Sequence, residues 1–265
     1  MVPEKLTFSP LSRRQIEADY LRTSDRSDSR HSWAILALLV RFIRQYWPDT
    51  RIVLRGDSHF CRPRMLNWCD RHHVDYIVGI GKNSRLLKEV DVPMMLVRKT
   101  QWQVGGKVAE TFRFPYQAHS WKYPRWVVAR LEESELGSNP RFIISSRYDD
   151  GFKLYYEQYC ARGDMENRIK DQQLSLFADR TSSTHWWANQ WRLILSGFAY
   201  TLFERLRTYL KHTPFARMSP SNLRLKLIKV GAVIIRNTRR IRVLMSDSYP
   251  YKAQLSDLVR RLVPN

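Results

Sequence analysis

The sequence predicts an α/β fold, and two features of its pattern indicate that class. An amphipathic helix pattern at residues 32–47 leads directly into a short apolar strand at 51–55. A helical stretch that begins near Pro63 is followed by a second strand at 74–80. Strand, helix and strand joined by short links are typical of a parallel strand pair with helices on its faces.

The helix before the first strand is predicted from the spacing of its apolar residues. They recur three and four positions apart, which places them on one helical face, and Pro48 ends the run. The residues of this face are Ile35, Leu38, Leu39, Phe42, Ile43 and Tyr46.

The strand at 51–55 leads into an acid, within the stretch VLRGDSHFC at residues 53–61. Ligands of open α/β sheets bind beyond the carboxyl ends of the strands, which is where Asp57 lies. An Asp after Gly is also common in plain turns, where its carboxylate accepts a hydrogen bond from the backbone two residues on. The stretch by itself leaves both interpretations open.

The rest of the chain divides into a β-rich part and a helical, basic part. Runs such as VAETFRFPY and RFIISSR, between about residues 100 and 147, predict a β insertion. Helical patterns return from Phe152, and the C-terminal end predicts a capped helix followed by a basic β-hairpin. Residues 1–30 show little apolar periodicity, and we expect them to be poorly ordered or adventitious.

The composition indicates a polyanionic partner. Lys and Arg outnumber Asp and Glu by 45 to 25, a formal net charge of +20, so nucleic acid is the first expectation and a membrane surface the second. Three irregularly spaced cysteines argue against a disulfide framework or a structural zinc site. No apolar run resembles a signal peptide or approaches the ~20 residues of a membrane helix, so we expect a cytoplasmic protein.

A second candidate stretch is YCARGDMENRIKD at residues 159–171. Tyr159, Arg162 and Glu166 are three and four positions apart, so on a helix they form one stripe. A guanidinium beside a carboxylate keeps the acid ionised and fixed in direction, although an ordinary surface ion pair has the same spacing. Gly163 weakens the case for one continuous helix, and Asp164 could be an N-cap that restarts it.

Two carboxylates from distant segments are the oxygen ligands that a hard divalent cation needs. Asp57 follows a strand, and Glu166 lies on a later predicted helix. Two Mg²⁺ ions close together can activate a water or a 3′ hydroxyl and stabilise the leaving oxygen of a phosphodiester. With the basic surface, these acids predict phosphodiester chemistry on nucleic acid that uses two Mg²⁺ ions, with Mn²⁺ as a substitute.

The segments at 55–83 and 159–193 together resemble bacterial insertion-sequence transposases of the DDE type, in particular the insertion-sequence family numbered thirteen-eighty. The similarity covers about residues 20–265. Tyr159, Arg162 and Glu166 fit the group's Tyr-x2-Arg-x3-Glu signature. The lysine that the group usually has seven positions after the Glu is here Gln173, and Lys170 is the candidate replacement.

The resemblance implies an α/β fold with a ribonuclease-H-like core, incomplete at its N-terminus, a β-rich insertion and a helical, basic C-terminal region. Asp57 would be the second metal ligand and Glu166 the third. The first Asp should lie on a strand upstream of the helix at 32–47. Asp19, Asp25 and Asp28 occupy polar, non-strand contexts in the sequence, so the chain is expected to lack the N-terminal part that carries this acid.

The implied activity is cut-and-paste phosphoryl transfer at terminal inverted repeats. The implied partners are the element's ends and target DNA, bound by a dimer on DNA without a membrane partner. Two alternatives remain open: a catalytically inactive DNA-binding remnant, and a ribonuclease-H-like nuclease unrelated to transposition. The expected segments are 1–30 as the adventitious start, 31–99 as the first part of the catalytic core, 100–148 as the β insertion, 149–212 as the core helices that carry the Glu, and 213–265 as the basic C-terminal region.

Basic residues near the C-terminus are the candidate DNA contacts. Residues 205–242 contain eleven Lys and Arg and no acid, which favours neutralisation of several phosphates, with a solvated face as the alternative. The candidates are Arg236, Arg239, Arg240, Arg242, Lys226 and Lys229.

Other polar residues are weaker candidates. Ser58 and His59 beside Asp57 suggest a Ser-His-Asp arrangement only weakly, because members of such triads come from separate segments. His72 and His73 are expected to end a helix, where a cation is favourable.

Overall fold

The computed structural model describes the backbone of residues 2–8, 16–22 and 32–262, and the side chains of 32–262 other than those of Arg162 and Asp164. The chain forms two compact units, one of residues 27–165 and one of residues 1–26 with 166–265. None of the described helices is both long and apolar enough to cross a membrane.

The helices and strands follow one another in a mixed α/β order. They are β1 (Val2–Phe8), β2 (Ile16–Arg22), α1 (Ser32–Tyr46), β3 (Val53–Gly56), α2 (Pro63–Arg71), β4 (Asp75–Ile80), α3 (Ser84–Glu89), α4 (Asp91–Val104), β5 (Val108–Tyr116), β6 (Arg125–Ser134), β7 (Gly137–Ser138), β8 (Arg141–Ser145), α5 (Gly163–Lys170), α6 (Trp186–Tyr209), α7 (Pro220–Leu223), β9 (Ala232–Arg236), β10 (Ile241–Met245) and α8 (Lys252–Leu262).

The unit of residues 27–165 is built on a mixed six-stranded sheet. Its strand order is β3-β4-β8-β6-β5, and the short β7 pairs with β6. The parallel pair expected from the sequence is confirmed, since β3 runs parallel to β4 with Leu54 opposite Tyr76. Strand β4 is buried from Tyr76 to Gly79, as expected of a strand whose two faces are both covered.

The β-rich segment extends this same sheet. Strand β8 pairs antiparallel with β4, with Val78 opposite Ile144, and β6 pairs with β8 and with β5. The expected start of the insertion at residue 100 is too early, because α4 continues to Val104. Met94 and Val97 are buried on one face of that helix, and a Pro in its first turn is compatible with helix initiation.

The core of this unit joins the sheet to the segment before the Tyr-x2-Arg-x3-Glu signature. Ile77, Val128 and Ile143 from three strands are fully buried, and Leu154 and Tyr155 pack against them. These two residues belong to a π-helical segment, Lys153–Tyr159. Such segments are rare in proteins, and those that occur often lie at functional sites.

The second unit contains two strands near the N-terminus that are not predicted from the sequence. β1 and β2 form an antiparallel pair, with Lys5 opposite Asp19. For these two segments the expectation of a poorly ordered start is therefore wrong, as is the non-strand context assigned to Asp19. The alternation in IEADYLR is short and interrupted by charge, so apolar periodicity alone did not reveal it. Asp25 and Asp28 lie outside the described residues.

The C-terminal region has its own apolar core. Five buried residues, each from a different segment, form it together with partly buried neighbours. The predicted helix start is confirmed, since Ser219 caps α7 by accepting a hydrogen bond from the Asn222 N–H at 3.3 Å. Helix α8, which packs Leu258 into this core, was not expected from the sequence. The buried residues of the core are Leu210, Phe215, Leu223, Leu227 and Leu258.

Candidate functional site

Asp57 lies at the carboxyl end of β3 and caps a short 3₁₀ helix, Ser58–Phe60. Its Oδ1 accepts a hydrogen bond from the His59 backbone N–H at 2.9 Å, and the His59 Nδ1 is 3.3 Å from the same oxygen. The turn geometry of the plain interpretation is therefore present. It does not exclude a metal, because a carboxylate oxygen has more than one lone pair and the Asp57 side chain remains 43% exposed.

The glycine before Asp57 is required by close packing. A Cβ on Gly56 would stand 2.6 Å from Cδ2 of Phe60, in the 3₁₀ helix that Asp57 caps. Any larger residue at this position would push the Phe60 ring away. The glycine at position 56 is thus explained by how the chain turns at the end of β3.

Tyr159, the first residue of the signature, lies beside the same strand end. Its hydroxyl is 2.7 Å from where a Cβ of Gly79 would stand in β4. The same point is 3.2 Å from the Ser58 backbone nitrogen and 3.4 Å from the Asp57 carbonyl carbon. Gly79 therefore leaves a gap in β4 that is bordered both by the Tyr159 hydroxyl and by the backbone that follows Asp57.

Two arginines attach the signature segment to the sheet. Arg55 of β3 donates a hydrogen bond to the Gln158 carbonyl at 3.0 Å. Arg147, just after β8, donates to the Gln158 side-chain oxygen at 2.9 Å. The residue before Tyr159 is thereby held from two sides, so the position of Tyr159 relative to Asp57 is set by the sheet itself.

Gly79 and Arg55 were not identified as site residues from the sequence. A signal for Gly79 was present, since an isolated glycine inside a strand pattern such as DYIVGI marks a bulge or a close backbone approach. Arg55 carries no comparable signal, because its partner is a backbone carbonyl more than a hundred residues away.

Glu166 lies on α5 with an exposed side chain, and Lys170, one turn later, is also exposed. Gly163 has helical dihedral angles, φ −56° and ψ −28°, so the helix continues through it. The alternative in which Asp164 restarts the helix as an N-cap is wrong, because Asp164 lies inside α5. The side chain of Arg162 is outside the described part of the chain.

The helix that carries Glu166 is attached to α6 by charged groups. Arg207 on α6 contacts Asp171 at 3.0 Å and also Glu204, and Arg168 on α5 is 3.4 Å from Glu204. Burial alone would lower the pKa of Arg207, but its hydrogen bonds to the two acids raise it. The guanidinium therefore stays charged, and the end of α5 is held against α6.

Thiolate chemistry is not favoured at the two cysteines near the sheet. Burial raises the pKa of Cys61 to about 11 and that of Cys69 to about 12. A thiol with such a pKa carries almost no thiolate at neutral pH. Neither of these two thiols is therefore a ready nucleophile at neutral pH.

Of the candidate histidines, His72 ends a helix and His59 lies beside Asp57. Helix α2 ends at Arg71 with His72 as its C-cap, as expected, and the His72 ring stacks on Trp68 at 4.4 Å between centroids. His59 lies beside Asp57 in sequence and in space. Among the described side chains, no three His, Cys, Asp or Glu residues are grouped closely enough to hold a metal ion by themselves.

The candidate DNA contacts occupy two places in the C-terminal region. Arg236, Arg239, Arg240 and Arg242 are exposed on the β9–β10 hairpin and its turn. Lys229 is exposed after a π-helical segment, Arg224–Ile228, whereas Lys226 within that segment is half-buried with its Nζ 5.3 Å from the Tyr251 ring centroid.

Comparison with known proteins agrees with these features. No curated protein matches the chain. A family model described as "Transposase DDE domain group 1" matches residues 6–265, which is nearly the whole sequence. Acids at a strand end and on a later helix, within a mixed α/β fold, accompany that match. The chain belongs to the transposase DDE domain group 1 family.

Proposed function

We propose that the chain acts on DNA as an insertion-sequence transposase of the family numbered thirteen-eighty. It would cleave and join strands at terminal inverted repeats by metal-dependent phosphoryl transfer, as a dimer on DNA. Asp57 and Glu166 would be two of the metal ligands, and the mixed sheet with its parallel β3–β4 pair would be part of a ribonuclease-H-like core. The family match supports the reaction class.

One observation carries the assignment of residues. The hydroxyl of Tyr159, a signature residue, lies in the gap at Gly79 next to the backbone that follows Asp57. If the signature were only a surface ion pair, Tyr159 would not need to lie beside the strand end that bears Asp57. The first residue of the second motif thus lies beside the strand end that bears Asp57.

The donor set suits a hard divalent cation. Mg²⁺ binds through one or two carboxylates and usually keeps several waters. Two exposed acids, one at a strand end and one on a helix, are therefore appropriate ligands. The His59 N–H fixes the direction of the Asp57 carboxylate. When bound, Mg²⁺ or Mn²⁺ would activate the attacking water or 3′ hydroxyl and stabilise the leaving oxygen.

The protein's own groups then have distinct tasks. Asp57 presents its carboxylate at the end of β3, while Gly79 leaves room for the Tyr159 hydroxyl and for the backbone that follows Asp57. Arg168 of α5 contacts Glu204 of α6, and Arg207 of α6 contacts Asp171 just after α5, so the two arginines hold the helix of Glu166 against α6. Lys170 and the basic C-terminal region would bind phosphates, which should make DNA affinity fall steeply with salt.

The test is cleavage of duplex DNA that carries the element's terminal repeats, with Mg²⁺, Mn²⁺ or EDTA. We expect metal-dependent nicking that Asp57→Asn and Glu166→Gln each reduce by at least about a hundredfold, the size of effect typical of groups that stabilise a transition state. Asp49→Asn and Glu157→Gln are matched controls, because both side chains are exposed acids on short segments preceding the candidate residues.

The products separate the candidate functions. Joining of a cleaved 3′ end to a second DNA molecule indicates transposition, whereas cleavage without joining and without dependence on the terminal repeats indicates a nuclease. Retention of DNA binding without any metal-dependent cleavage would contradict the enzyme and favour a DNA-binding remnant. The variant Asp19→Asn tests whether β2 supplies a further carboxylate, since Asp19 lies on that strand.

A further inference from the structure

The β9–β10 hairpin exposes an apolar surface that a folded protein would ordinarily cover. Its strands pair antiparallel, with Ile234 opposite Val243 and Val233 opposite Leu244. Ile234 is 69% exposed and Val243 57% exposed, while Val233 and Leu244 on the other face are 63% and 44% exposed. Because side chains alternate along a strand, both faces of the ribbon present β-branched or leucine side chains to solvent.

The turn of the hairpin is ordered by one asparagine. Oδ1 of Asn237 accepts hydrogen bonds from the backbone N–H of Arg239 at 3.0 Å and of Arg240 at 2.9 Å. The Asn237 N–H in turn donates to the Arg240 carbonyl at 3.1 Å. The two arginines therefore extend from a closed turn at the end of the ribbon, with Arg236 and Arg242 just behind them.

A lone two-stranded hairpin is only marginally stable in water, so a covering partner is expected. Charge decides which partner fits. The region from 205 to 242 contains eleven basic residues and no acid, and the whole chain has a net charge of +20, which disfavours a second copy of the chain against this surface. Duplex DNA is a polyanion, and its major groove admits a two-stranded β-ribbon.

We propose that the β9–β10 hairpin is a DNA-reading arm that enters the major groove, with apolar side chains against base edges. Ile234 and Val243 form one cross-strand apolar patch for contact with thymine methyl groups, and Arg239 and Arg240 at the tip contact phosphates. The arm deepens the proposed function because it assigns base contact, in addition to charge, to the C-terminal region. It rests on that function only in taking DNA as the substrate.

The experiment measures binding of the full chain to labelled duplexes in EDTA, so that cleavage plays no part. One probe is an alternating A·T duplex, and the second is identical except that deoxyuridine replaces thymidine, which removes the methyl groups alone. Wild type should bind the thymidine duplex about fourfold more tightly for each methyl group that is buried. The double variant Ile234→Thr/Val243→Thr keeps β-branched residues and should lose that preference.

The arginines are tested by the salt dependence of binding. Arg239→Gln/Arg240→Gln should reduce the slope of log affinity against log salt by about two, since each phosphate contact contributes about 0.9. It should leave the thymidine preference intact. Lys88→Gln/Lys99→Gln removes the same charge from exposed positions in the other unit, and Leu136→Thr removes an exposed apolar residue there. Both controls should behave as wild type.

Three results would overturn the proposal that the hairpin is a DNA-reading arm. The first is equal binding of both duplexes by wild type, and the second is an unchanged salt slope in the arginine variant. The third is a dimer that the Ile234→Thr/Val243→Thr variant converts to monomer in sedimentation without DNA, which would make the patch an interface between copies. None of these depends on Asp57 or Glu166, so the arm can fail while the proposed chemistry stands, and the reverse also holds.

Discussion

The Tyr159 hydroxyl lies 2.7 Å from the point where a Cβ of Gly79 would be, so the absence of a side chain in β4 is what admits the signature tyrosine. The same gap borders the Ser58 nitrogen at 3.2 Å. Strand β4, the signature segment and the turn after Asp57 therefore all border one gap. A side chain placed in this gap should disturb all three.

Gly79→Ala should destabilise the unit of residues 27–165 by about 1–3 kcal/mol, the usual cost of overpacking a close contact. Its methyl group would overlap the Tyr159 hydroxyl, and Gly81→Ala is the matched control because a Cβ there meets no atom within 4 Å. Denaturant unfolding measures the difference. Equal stability of the two alanine variants would show that the gap is not needed.

Tyr159→Phe in the Gly79→Ala background should recover more than half of that lost stability. Phenylalanine lacks the oxygen that makes the 2.7 Å overlap, while the Ser58 nitrogen at 3.2 Å can yield by a few tenths of an ångström. The four unfolding free energies form a double-mutant cycle, which isolates the coupling between the two residues. Additive effects would place Tyr159 away from the gap.

Among the polar side chains of the unit of residues 27–165, Arg125 should contribute most to stability. Its side chain is 3% exposed and donates to Asp70 at 2.7 Å, to Asn67 at 2.7 Å and to the Tyr76 hydroxyl at 2.9 Å. Arg125→Met should lower the free energy of unfolding by about 3 kcal/mol, because partners lose a buried charged donor. Arg125→Lys should recover little, since one ammonium cannot reproduce the planar fork. A loss below about 1 kcal/mol would contradict this role.

The elements that the sequence predicts well are those with strong local patterns. The amphipathic run at 32–47 became α1, Pro63 begins α2, and VDYIVGI contains β4, because burial of one helical face or of a whole strand leaves a clear period. The two strands at Val2–Phe8 and Ile16–Arg22 lack such a period, and they pair with each other across a gap in sequence that no local pattern reports.

The candidate site also combines features that local sequence patterns reveal with contacts that they do not. Asp57 and the signature stand out locally, since each combines unusual residues within a few positions. Their connection through Gly79 and Arg55 depends on contacts between residues 79 and 159 and between 55 and 158, which only the folded chain brings together. The attachment of α5 to α6 by Arg207 is likewise a long-range contact.

Glu132 should make the free energy of unfolding depend on pH in the acidic range. Its hydrogen bond with Lys107, aided by Arg130 and opposed by burial, lowers its pKa from 4.5 to about 2. The stabilisation is fully present above the unfolded pKa near 4.5 and is lost as the pH falls towards 2. Glu132→Gln should therefore cost about 2 kcal/mol at pH 6 and much less near pH 2, as measured by urea unfolding. Glu135→Gln, at an exposed position, should show neither effect.

The three cysteines should react with a thiol reagent at very different rates in the native protein. Cys160 is exposed directly after Tyr159, whereas Cys69 is buried and Cys61 is half-buried. Burial raises the pKa of Cys61 to about 11 and that of Cys69 to about 12, so little thiolate is available at either. At pH 8 we expect one fast-reacting thiol, and Cys160→Ser should abolish that phase, with denaturant exposing the other two. A fast phase that survives Cys160→Ser would show that Cys61 or Cys69 is accessible in the native protein and would contradict their burial.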